Sequence, residues 1–131
     1  LEQRSARPLL VAVTILTSLG DADIAEVGYG GTTAESVLRL ARLTGQSGLD
    51  GIVCSPREAS AVRRELGEDF LLVTPGVRPA SASQDDQKRV MTPLDALNNG
   101  ADMLVIGRPV TASADPLGSL RTIQDSIAAF V

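Results

Sequence analysis

The sequence predicts an α/β protein made of four successive βα units. Three observations carry that prediction: four short unbroken apolar runs, a capped helical segment after each, and no linker-like, charged or repetitive stretch dividing the 131 residues. Unbroken apolar runs bounded by turn residues mark strands buried on both faces, the pattern of parallel sheets. With 44% hydrophobic residues and a mean hydropathy of +0.13, there is enough apolar material for one core.

The first run, "PLLVAVTIL" at 8 to 16, is followed by a short helix near 21 to 27 and then by "TTAESVLRLARLTGQSG". Thr33 is the expected N-cap there, with Val37, Leu38, Ala41 and Leu43 as the apolar face and an end near Gly45 or Gly48. The second run, "GIVCS" at 51 to 55, leads into "SPREASAVRREL", where Ser55 caps and Pro56 takes the first helical position. The third, "FLLVTPG" at 70 to 76, precedes a longer loop and "TPLDALNNG", with Thr92 as cap, Pro93 at the first position and Gly100 beyond the end. The fourth, "MLVIG" at 103 to 107, precedes "ADPLGSLRTIQDSIAAF", with Asp115 as cap, Pro116 next, and a stripe through Leu117, Leu120, Ile123 and Ile127. Four such units with right-handed crossovers fit either an open doubly wound sheet or part of a (βα)₈ barrel. A four-stranded piece of barrel would leave its first and last strands with unpaired edges.

Composition removes whole classes of chemistry. A net charge of -4 and a pI near 4.7 argue against a nucleic-acid surface, so any bound phosphate must be met locally. There is no histidine, and Cys54 is the one cysteine. Disulfides, histidine zinc sites and Ser-His-Asp or Cys-His catalysis are excluded together, and a reducing cytoplasm fits. No apolar run reaches the length of a membrane span, and "LEQRSARP" lacks the plan of a signal peptide. Of the 12 basic residues all but Lys88 are arginine, so ammonium chemistry has a single candidate.

Functional groups of α/β folds gather at the carboxyl ends of the strands. Two of the four ends carry arginine beside glycine and proline: Pro75, Gly76 and Arg78 after the third run, Gly107, Arg108 and Pro109 after the fourth. Glycine lets an oxygen approach the main chain, and an arginine can fork onto the same anion. Two readings of Arg108 stand on physics alone, a phosphate ligand or a strand-end arginine paired with a surface carboxylate.

Taken together, "LLVAVTILTS", "GLDGIVCS", "LLVTPGVRP", "DDQKRVMTPLDALNNGAD" and "VIGRPVTASADP" resemble the second half of the bacterial orotidine 5'-phosphate decarboxylase family, in its order and with its spacing from Arg78 through Gln87 to Gly107. The resemblance implies a (βα)₈ TIM barrel to which residues 1 to 131 contribute the last four βα units, strands five to eight, of a single domain. It implies conversion of orotidine monophosphate to UMP and carbon dioxide by a cytoplasmic homodimer, with no metal or organic cofactor. Residue by residue, it assigns Thr17 to the pyrimidine edge, Pro75 to the base pocket, Arg78 and Arg108 to the phosphate, Gly107 to a backbone donor beside it, and Gln87 to a loop side chain reaching phosphate and base. The loop from 77 to 91 becomes a lid. Val105, Ile106 and Cys54 are expected in the core, Asp85, Asp86 and Lys88 as solvated loop charges, and Asp50 and Asp102 as structural groups at the opposite rim.

The departure from the family is as informative. Its catalytic lysine and aspartate array rests on a D-x-K-x-x-D motif that this sequence lacks, and the sole lysine, Lys88, sits in the loop beside Gln87. Proton delivery to a carbanion-like carbon needs a positioned ammonium, so no catalytic residue is expected here and the chain alone should not turn over. Two rivals make different demands. A hexulose-phosphate synthase or sugar-acid decarboxylase on a related barrel would need magnesium, and a non-catalytic (βα)₄ nucleotide-binding module would bind UMP without turnover.

Overall fold

A computed structural model describes residues 7 to 79 and 91 to 130. Its centre is a four-stranded parallel sheet in the order β1-β2-β3-β4, with β1 at Val11–Val13, β2 at Gly51–Val53, β3 at Leu71–Pro75 and β4 at Met103–Val105. Sequential order with every neighbour parallel is the arrangement of a barrel wall. An open doubly wound sheet would reverse its order at a switch point. All four runs are strands, but each is shorter than its apolar stretch, because the hydrogen-bond ladder ends before the apolar side chains do.

Among the described residues the helices lie against one face of the sheet. They are α1 (Asp21–Glu26), α2 (Thr33–Gln46), α3 (Pro56–Leu66), α4 (Pro93–Asn98), the short α5 (Arg108–Thr111) and α6 (Pro116–Ile127), followed by a 3-10 turn at Ala128–Phe130. Ser55, Thr92 and Asp115 cap α3, α4 and α6 as expected, each accepting a main-chain N–H. The cap of α2 is Thr32 rather than Thr33: Thr32 and Glu35 form a reciprocal capping box. Its buried face runs through Thr33, Ser36, Val37, Ala41 and Thr44. Leu43 lies two residues past Ala41, off that stripe, and is 58% exposed.

The main core joins Ile24, Val37 and Ala41 of the helices to Ile52 and Leu72 of the sheet, with Cys54 just past β2 and Val62 of α3. Cys54 is buried within it. A smaller cluster, Val77, Ala96 and Ala101 with Leu104 and Ile106 beside it, holds α4 against β4. The expectation of strands buried on both faces fails at the edges: Val13, Met103 and Val105 are each half exposed or more. Val105, expected in the core, lies on the face that carries no helices, so only Ile106 of that pair joins a cluster. The α6 stripe is corrected likewise, with Ile123 buried but Leu117 and Leu120 exposed, because α6 rests on α4 and α5 from one side only.

Gly51 shows how tightly β2 and β3 approach. A Cβ there would sit 2.1 Å from the Leu71 carbonyl oxygen, so no larger residue fits without moving a strand. Asp50 and Asp102, each just before a strand, staple the amino-terminal rim. Asp50 accepts the Leu10 N–H at 2.7 Å and pairs with Arg7; Asp102 accepts the Leu72 N–H at 2.7 Å and pairs with Arg63. Among the described residues no helix is long and apolar enough to cross a membrane.

Candidate functional site

The opposite rim, where β3 and β4 end, holds a cavity of about 250 Å³ lined by Pro75, Gly76, Val77, Arg78, Val105, Gly107, Arg108 and Pro109. Local chemistry explains why it opens there. Pro75 has no N–H to extend the ladder, and the last main-chain bond from β2 to β3 is Cys54 N–H to the Val73 carbonyl at 3.1 Å. Gly76 then turns with a φ of 77°, a conformation other residues rarely adopt. Beyond it Val77 bridges to Met91, and the Arg78 N–H donates to the Met91 carbonyl at 3.0 Å. Thus the chain entering and leaving the 80 to 90 segment is pinned at both ends, and the Arg78 side chain is buried against the wall.

Across the cavity, Gly107 precedes α5 and its carbonyl accepts from Val110 and Thr111 at 2.9 and 3.0 Å. A Cβ at Gly107 would meet nothing within 4 Å, so its main chain faces open space. Arg108 begins α5 and is exposed. The two arginines therefore differ in kind. Arg78 is buried in the wall of the cavity, and Arg108 is exposed at its mouth. Two guanidiniums around one small cavity suit an anion, in a chain whose overall charge would repel it.

Of the residues singled out in the sequence, Pro75, Arg78, Gly107 and Arg108 share this cavity. Thr17 does not line it; it is buried in the turn closed by Leu19 N–H to the Leu16 carbonyl, at the same rim but beyond β1. Gln87, with Asp85, Asp86, Lys88 and most of the expected lid, lies outside the described residues. Sequence reasoning missed α5 and the part of Val77 and Val105 in the lining, while Pro109, named beside Gly107 and Arg108, does line it. The signal for α5 was present, since "GRP" puts a proline at the start of a helix after a glycine.

Four parallel βα units with a glycine-arginine rim at the carboxyl ends define one half of a (βα)₈ barrel. The chain belongs to the orotidine 5'-phosphate decarboxylase / HUMPS family, which it matches over residues 2–123. Curated relatives named orotidine 5'-phosphate decarboxylase include those of Chromobacterium violaceum, 58% identical over 127 residues covering 97% of this chain and 51% of the relative, and of Vibrio campbellii, 55% identical over 122 residues covering 93% and 52%. A solved structure, the orotidine 5'-phosphate decarboxylase of Lactobacillus acidophilus, superposes with a TM-score of 0.74 at 39% identity, covering 90% of this chain and 48% of that one. The chain spans about half the length of the curated relatives it matches.

Proposed function

We propose that these residues form the phosphate- and pyrimidine-gripping half of an orotidine 5'-phosphate decarboxylase, occupying the place of strands five to eight in a barrel that converts orotidine monophosphate to UMP and carbon dioxide. The observation that carries this reading is the meeting of Arg78, Arg108, Gly107 and Pro75 around one cavity at the carboxyl ends of β3 and β4.

In this reading the phosphate dianion sits between the two guanidiniums. Arg78, held in place by burial, supplies charge without paying for reorganisation, and Arg108 closes over the ligand from solvent. The open main chain at Gly107 donates its N–H from a side that any Cβ would narrow. Pro75 offers an apolar wall to the base, Thr17 a hydroxyl to the pyrimidine edge, and Gln87 reaches across from the loop. None of these groups acts on the bond that breaks. Their work is to turn binding of the remote phosphate into closure and alignment, which raises the rate only where contacts tighten in the transition state. Protonation of the carbon left by carbon dioxide falls to lysine and aspartate outside these residues, in a cytoplasmic enzyme that pairs as complete barrels.

The test is a chimera joining this chain to the amino-terminal half of the Vibrio campbellii relative. It should decarboxylate orotidine monophosphate, while residues 1 to 131 alone should not. A folded chimera that binds neither orotidine monophosphate nor UMP would refute the proposal.

A further inference from the structure

Asn99 directly follows α4, and backbone conformation does not explain its presence there. An asparagine at a helix end commonly supplies the left-handed residue that stops the helix. Here Gly100 does so with a φ of 96°, while Asn99 keeps a φ of -79°. Its main-chain N–H is used locally, donating to the Asp95 carbonyl at 2.9 Å. The partly buried side chain reaches elsewhere. Asn99 Nδ2 donates to the carbonyl of Pro56, the first residue of α3, and to Met91 Sδ, each at 3.3 Å. Met91 is the residue against which Arg78 is set: it bridges to Val77, and its carbonyl accepts the Arg78 N–H at 3.0 Å. A line of contacts thus runs from the start of α3 through Asn99 and Met91 to the main chain of Arg78, in the wall of the arginine-lined cavity.

We infer that Asn99 is a positioning residue for Arg78. One short planar amide carries two hydrogens, so it can hold two segments at a fixed separation. Pro56 belongs to the unit that follows β2 and Met91 to the stretch that follows β3, so Asn99 ties the chain leaving Arg78's strand to its neighbour. An arginine whose main chain is anchored in this way loses less freedom when its guanidinium meets an anion. The packing of Met91 beside Val77 and Ala96 supports the same residue from the apolar side, and the amide sets where along that surface it rests. This inference rests on the phosphate reading of the cavity and deepens it. Asn99 serves the grip on the phosphate and not the contacts to the base.

Competitive inhibition of the chimera by UMP and by uridine, which lacks the phosphate, tests this. In Asn99→Ala the inhibition constant of UMP should rise about 3- to 10-fold, the worth of one hydrogen bond, and that of uridine should stay the same. Equal weakening of both ligands, or of neither, would overturn the inference. Met91→Leu keeps the apolar volume but removes the sulfur acceptor, so it should weaken UMP in the same direction. The double variant should be no weaker than Asn99→Ala, because both changes break one line of contacts, and independent additive losses would count against it. Should Asn99→Ala not fold, Met91→Leu carries the comparison of UMP with uridine. Should the unaltered chimera bind no UMP, the phosphate reading falls by itself and hydrogen exchange decides the positioning. Asn99→Ala should speed exchange of the Arg78 amide and leave the Cys54 amide, bonded to the Val73 carbonyl, as it was; an unchanged Arg78 amide overturns the inference.

Discussion

Arg63 Nη2 donates to Asp102 Oδ2 at 2.7 Å, and the same oxygen accepts the Leu72 N–H at 2.7 Å. One arginine of α3 thereby fixes where β4 begins against β3. Its guanidinium also reaches the carbonyls of Gly67, Glu68, Phe70 and Gly100 at 2.7 to 2.9 Å, with its side chain 10% exposed. The register of the two strands that carry the arginine rim is set here, at the far end of the sheet.

Arg63→Ala should therefore cost about 2 kcal/mol, since it leaves several carbonyls without the guanidinium that now satisfies them and unpairs the partly exposed Asp102. Arg63→Lys keeps the charge but cannot fork among so many acceptors, and should recover only part of the loss. Urea unfolding of the three proteins measures this, and a loss under 1 kcal/mol for the alanine variant would mean the hub is not structural.

Gly51→Ala tests the closeness of β2 and β3. With the Leu71 carbonyl oxygen 2.1 Å from the added carbon, the strands must separate, at a cost of about 2 to 4 kcal/mol. Gly107→Ala, whose Cβ meets nothing in the chain, should leave the melting temperature nearly unchanged. Equal melting temperatures for both variants would contradict the packing described.

Acid should weaken the amino-terminal staple of β1. Arg7 beside Asp50, and then the Leu10 N–H, hold the Asp50 carboxyl down at about 2. A carboxyl depressed on folding adds stability that is complete above its unfolded value and is lost as pH falls through its folded one. The contribution of Asp50 should thus fade between about pH 4 and pH 2. Asp50→Asn should show a shallower fall in urea midpoint across that window; an unchanged slope would remove Asp50 from the account.

Arg108 and Arg78 should separate by what their loss disturbs. Arg108 is exposed at the cavity mouth, so Arg108→Ala in the chimera should raise KM about 10- to 100-fold with little change in melting temperature. Arg78 is buried, so Arg78→Ala should lower both affinity and stability. Near-normal KM for Arg108→Ala would contradict its assignment to the phosphate.

The element order was legible because it rests on local signals: four apolar runs and the caps Ser55, Thr92 and Asp115. What escaped was decided by partners distant in sequence. Nothing near Arg63 announces that its acceptors include Gly100 and Asp102, and nothing in "MLVIG" tells Val105 from Ile106 until the side lacking helices is known. The choice between open sheet and barrel wall lay beyond periodicity and was settled by strand order. At the rim, "PGVR" and "IGRP" were readable because glycine and proline mark where a strand must stop. Their convergence on one cavity required the pairing of β3 with β4.

The most direct test is a crystal structure of the chimera with UMP bound. The account predicts phosphate oxygens within hydrogen-bond reach of the Gly107 N–H and of the Arg78 and Arg108 guanidiniums. A phosphate bound elsewhere, with that cavity holding only solvent, would contradict it.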